Sequence, residues 1–114
     1  MSAMPSLTVL QAALFQEFRL EDGVGNHLPV ILQSALPGIA MSAKHVCYAM
    51  ELLLPPGARV GQGTYRLRHP MGESWDLFMS PILPHADGRH RLEAVIHRER
   101  TVDDTMPVAM AAGG

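Results

Sequence analysis

Thr64-Tyr65-Arg66-Leu67-Arg68 alternates apolar and charged residues at a period of two. In an extended chain this turns Tyr65 and Leu67 to one face and Arg66 and Arg68 to the other. Two stretches of the same kind follow. Trp75 to Ile82 sets Trp75, Leu77 and Met79 on one face with Phe78 opposite them, and Leu92, Ala94 and Ile96 alternate with Arg91, Glu93, Val95 and His97. The connections, Pro70 to Gly72 and Pro84 to Gly88, are short turns, and Asp87-Gly88 is a favoured hairpin dipeptide. A parallel pair would need a crossover of a dozen or more residues, so the chain from Gly63 to Arg98 predicts an antiparallel meander. Pro81, unable to donate to a ladder, marks the edge or end of its strand.

Upstream, Val46, Tyr48, Met50 and Leu52 alternate with His45, Cys47, Ala49 and Glu51, a half-buried strand stopped by Pro55-Pro56-Gly57. Leu28, Val30 and Leu32 alternate with Pro29, Ile31 and Gln33, and Pro29 restricts this strand to an edge or a strand start. Leu36 to Ala43, broken by Pro37-Gly38, predicts no regular element. Leu7, Leu10, Leu14 and Phe18 recur at helical steps behind Ser6, a suitable N-cap, which predicts a helix over about residues 6–15. Glu21-Asp22 followed by Gly23 to Asn26 then reads as a turn. The expected fold is mainly β: an antiparallel meander forming a small open barrel or sandwich of five to six strands, with one short N-terminal helix. Residues 1–100 form a single β-rich domain, and the low-complexity segment 101–114 is a C-terminal tail and a candidate assembly arm.

The chain has 114 residues, of which 47% are hydrophobic and 18% charged, enough apolar material for one core and too much for a disordered tail. Aromatics are only 5%, so the interior is expected to be aliphatic, with Met filling gaps. A net charge of −2 argues against a dedicated nucleic-acid binder, which needs a basic excess to neutralise phosphate. Cys47 is the single cysteine, which excludes an intrachain disulfide and a multi-cysteine zinc site. Met1 to Phe15 lacks a basic start and a signal-peptide cleavage pattern, and apolar stretches fall short of the roughly 20 residues that span a bilayer. A cytoplasmic start and no membrane partner are expected, which is compatible with later inclusion in an exported or virion-like assembly.

Chemistry-bearing residues are scattered. The histidines (His27, His45, His69, His85, His90 and His97) carry no zinc-ligand spacing, so no metal is expected. His45 and Cys47 share a strand face, but direct i, i+2 neighbours lie about 6–7 Å apart at Cα, loose for a nucleophile–base pair. Gly23-x-Gly25 and Gly61-x-Gly63 lack the third glycine of a phosphate loop. No catalytic residue and no cofactor are assigned. The arginines are more telling: Arg59, Arg66, Arg68, Arg89, Arg91, Arg98 and Arg100 sit at or beside the meander, mixed with acids. On adjacent strands such charges form a solvated ladder or, because the guanidinium fork suits carboxylates, a protein-binding face.

The run Val60-Gly61-Gln62-Gly63-Thr64-Tyr65-Arg66-Leu67-Arg68-His69-Pro70-Met71-Gly72, followed by Trp75 to Ile82, Asp87-Gly88 and Leu92 to Arg98, resembles a family of small bacterial domains of unknown function with a GTYRLxHP…LFxxPx…EAV signature. The likeness covers about residues 14 to 98. Leu92 departs from it, standing where the family tends to have Tyr, and so does a longer Pro-containing segment before Lys44. The resemblance implies an association with phage-tail-collar and microcystin-dependent-type fibre proteins, and brings no catalytic residues.

These readings together point to a non-enzymatic structural or assembly protein, a small subunit or accessory factor of a phage-tail-like or fibre assembly. Its expected partner is protein, either a second copy or a tail or fibre protein, and its interface candidates are Arg66, Arg68, Phe78 and Arg91. The alternative is a small-ligand or carbohydrate binding module in which Trp75 or Tyr65 stacks on the ligand. An enzyme would need a cleft around His45, Cys47 or His90.

Overall fold

Inward apolar positions recur every second residue along six strands, and the sheet they form curls until its two ends meet. A computed structural model describes residues 4–39 and 42–99. Among them are a helix, α1 (Leu7–Ala12), and strands β1 (Glu17–Glu21), β2 (His27–Pro37), β3 (His45–Leu53), β4 (Gly63–Arg68), β5 (Ser74–Ile82) and β6 (Arg91–Glu99). The protein is mainly β, and its sheet closes into a barrel in the order β1-β2-β3-β6-β5-β4, every neighbour antiparallel. Two meanders, β1-β2-β3 and β4-β5-β6, are joined along two seams. The β3–β6 seam runs from His45↔Glu99 to Leu53↔Arg91, the whole length of both strands, whereas β1 meets β4 only over Arg19–Glu21 and Arg66–Arg68. Closure removes the exposed edges that an open sheet would offer to other chains.

The core is aliphatic. Phe18, Leu20, Val30, Leu32, Met50, Leu52, Leu67, Met79 and Leu92 are buried inside it, with Tyr48 and Trp75 as its larger members. Both awkward prolines lie where a ladder is one-sided. The β2–β3 register begins at Ile31, beyond Pro29, and the β4–β5 register ends at Met79, before Pro81.

The N-terminal segment differs from its sequence reading. The helix stops at Ala12, and Phe18 belongs to β1, not to a helical face. The reason is competition for backbone hydrogen bonds. The Phe15 N–H donates to Leu32 O at 2.7 Å and the Leu32 N–H donates to Gln16 O at 3.2 Å, so β2 captures the chain that would have continued the helix. Phe15 makes the corner with φ of 67°, in the left-handed region. The second difference is β2, which runs on to Pro37 through residues that predicted no element. A bulge between Leu32 and Ser34 lets it do so while keeping Ala35 inward, opposite Met50. The tail, residues 101–114, lies outside the described residues, as does Arg100.

The β5–β6 hairpin closes at Asp87-Gly88. Asp87 Oδ1 accepts the Arg89 N–H at 2.9 Å, and Gly88 sits at φ of 88° with nothing near the position a Cβ would take. Gly88→Ala is therefore expected to cost about 1 kcal/mol through backbone conformation alone, read as a lowered denaturation midpoint with an unchanged m-value. A loss well beyond that would mean that the turn carries more than chain reversal.

Candidate functional site

Since inward positions are filled by core, the outward positions of the strands decide what the barrel can do. Among the described residues, the large apolar side chains that are exposed within strands are Leu36 in β2, Val95 in β6 and Phe78 in β5, at 62%, 59% and 57%. They lie in one row. Leu36 is registered with Ala49, and Ala49 with Val95. Ser80 is registered with Glu93, and two residues farther along each strand come Phe78 and Val95. The row thus crosses β2, β3 and β6, and Phe78 continues its line on β5 two residues beyond the last β5–β6 pair, with Thr64 of β4 registered to it. Ile39, just past β2, is also exposed.

Polar residues flank the row. On one side stand Glu51, Glu93 and Ser80; on the other Cys47 and His97 are registered with each other. Glu51 and Glu93 face each other across β3 and β6, a like-charge pair that Arg91 relieves through its 3.2 Å ion pair to Glu51. An apolar centre with a polar rim is the anatomy of a protein interface.

Of the interface candidates named from the sequence, Phe78 alone lies in the row. The arginines lie outside it and are engaged within the barrel. Arg66 donates from Nε to Asp76 at 2.9 Å, Arg68 from Nε to Glu21 at 3.0 Å, and Arg91 to both Glu51 and the Leu83 carbonyl. They form the solvated charge ladder across β1, β4 and β5, with Arg91 at the far end of the barrel. The hydrogen bond from Arg68 is the chief cause holding the Glu21 carboxyl below the usual carboxylate range, and the bond from Arg66 does the same for Asp76. The stability these pairs add is present above the usual carboxylate values and is lost as pH falls through the lowered native ones. An NMR carboxyl titration should find both midpoints depressed, with Arg68→Gln returning Glu21 and Arg66→Gln returning Asp76 towards ordinary values. A midpoint that ignores its arginine would refute the pairing.

Trp75 is 5% exposed, packed edge-on to His69, and so has no free face for a ligand. Tyr65 is half-buried, donates its hydroxyl to Gly61 O at 2.6 Å, and lines an open cleft of about 370 Å³ between the β1–β2 turn and β4. His45 and His97 meet edge to face with ring centres 6.0 Å apart on the outward surface beside Cys47, and His45 Nδ1 is hydrogen-bonded to Ser42 Oγ. No group of three or more His, Cys, Asp or Glu able to hold a metal occurs among the described residues.

Val95 and Leu36 went unmarked as candidates in the sequence. The signal for Val95 was present: an apolar residue at an outward position between Glu93 and His97. Leu36 had none, because the bulge that turns it outward has no sequence signature here.

A family model described as a domain of unknown function, DUF6916, matches residues 5–96. No curated protein and no solved structure matches the chain. No helix among the described residues is long and apolar enough to cross a membrane.

Proposed function

The chain belongs to the DUF6916 family, and on that premise we propose that this barrel is a non-enzymatic assembly module that associates through the face crossed by Leu36, Ala49, Val95 and Phe78. The observation that carries the reading is the row itself: the large apolar residues exposed in the described strands all fall along it. Side chains fixed on strands lose little freedom on binding, which favours an interface there over one built from loops. The partner is a second copy, or a tail- or fibre-type protein of the kind the family resemblance implies. A self-complementary patch on a small domain suits an isologous pair.

Sedimentation velocity of the full chain over a concentration series tests the reading, with a pull-down against tail and fibre proteins as its second arm. Concentration-dependent association supports it. A strict monomer that also retains no fibre protein overturns it.

A further inference from the structure

We infer that the open cavity between the β3–β4 connection and the start of β6 binds a small organic carboxylate. The cavity holds about 420 Å³, at the small end of the range of ligand pockets. Its floor is fixed: the Leu54 N–H donates to His90 O at 2.9 Å, and the Leu54 carbonyl accepts Arg89 Nε at 2.7 Å. Leu54 and Leu92 are core residues whose edges reach the cavity, and Val60 closes one side.

Pro81 and Gly61 complete the wall, and the polar side chains of the lining all come from basic residue types. Arg59, His90 and Arg91 face the cavity, and among the described residues no carboxylate lines it. Arg91 is held in place by its bonds from Nε to Leu83 O and from Nη1 to Glu51, which leaves Nη2 for another acceptor. Arg59 is different. Every other described arginine has a hydrogen bond or ion pair, in Arg19, Arg66, Arg68, Arg89, Arg91 and Arg98, while Arg59 has none among the described residues. An uncommitted guanidinium at the mouth of an apolar-floored cavity, beside a second one that is anchored, fits a planar carboxylate bidentately with its apolar body turned inward. The inference does not depend on the assembly reading, because none of Leu36, Ala49, Val95 and Phe78 lines the cavity.

The test is an NMR titration of the full-length protein with benzoate and with benzamide, its uncharged counterpart. Benzoate is expected to give saturable shifts at Val60, His90 and Leu92, with benzamide at least about tenfold weaker. Arg59→Leu should weaken benzoate by about tenfold or more, while Arg19→Leu, a charge removed from β1, leaves the affinity unchanged. Arg59 is exposed on a loop, so an otherwise unchanged amide spectrum establishes that the variant is folded. The inference is overturned if benzoate gives no saturable shift, if benzamide binds equally, or if Arg59→Leu and Arg19→Leu behave alike.

Discussion

Val95→Lys, and separately Phe78→Asp, are expected to weaken association of the full chain by about 30-fold each, corresponding to about 2 kcal/mol, the scale of an interface hot spot. Either charge would sit in the middle of the apolar row, where association strips its water without supplying a counter-charge. Folding should survive, because both side chains point outward and the inward neighbours Leu77, Met79, Ala94 and Ile96 are untouched. A strand position does penalise Asp by up to about 1 kcal/mol, so Phe78→Thr and Val95→Thr serve as milder partners that keep β-propensity. Sedimentation velocity reads the outcome directly. The arginine variants make the comparison sharp. Arg66 and Arg68 are occupied by Asp76 and Glu21, so Arg66→Gln and Arg68→Gln should leave association nearly intact if the apolar row is the interface. The opposite pattern, with the arginine variants dissociating the complex and Val95→Lys harmless, would move the interface to the charge ladder on β1, β4 and β5.

The contrast between the two halves of the barrel shows what a sequence of this kind can and cannot convey. From Gly63 onward, apolar residues recur at every second inward position (Leu67; Trp75, Leu77 and Met79; Leu92, Ala94 and Ile96) and each turn has its glycine, so strand, face and hairpin are all legible from local pattern. Arg66, Phe78 and Val95 could be assigned to the outward surface on period alone. The first half is governed by long-range choices. Phe18 satisfies both a helical spacing from Leu14 and a strand alternation with Leu20; what decides is that Leu32, far along the chain, takes the hydrogen bonds of Phe15 and Gln16. In β2 a single extra residue at Gln33 reverses the phase, so that Ala35 faces in and Leu36 faces out, the reverse of what an unbroken alternation from Val30 and Leu32 would give. The candidate site inherits this split. Its β5 and β6 members follow from pattern, its β2 member from a bulge, and their alignment from the β3–β6 seam, which joins the two meanders and which no local signal encodes. The commitment of each arginine was equally hidden, because Glu21, the partner of Arg68, is supplied by the first meander.

Leu10→Ala is expected to give the largest loss of stability, about 2–5 kcal/mol out of the roughly 5–15 kcal/mol available to a domain of this kind. Six residues are too few to form a helix alone in water, so α1 exists because the barrel holds it. Ser6 Oγ accepts the Val9 N–H at 3.1 Å to start the turn, Gln11 Nε2 donates to the Ala35 carbonyl at 3.0 Å, and the Tyr48 hydroxyl donates to the Pro5 carbonyl. Leu10 is 0% exposed and belongs to the same core cluster as Tyr48 and Ala35. Removing its side chain leaves a cavity that a short, tethered helix has little freedom to close, and the transfer free energy of the lost methyls adds to the cavity cost. At about 4–8 °C per kcal/mol, the melting temperature should fall by about 8 °C or more. Thr8→Ala, on the exposed face of the same helix, should shift it by little. Gln11→Ala should fall between them, at about 1 kcal/mol for one hydrogen bond to a strand carbonyl. If Leu10→Ala instead cost no more than Thr8→Ala, α1 would be an appendage lying on a barrel that is complete without it, and the N-terminal segment would be free to serve as a docking arm.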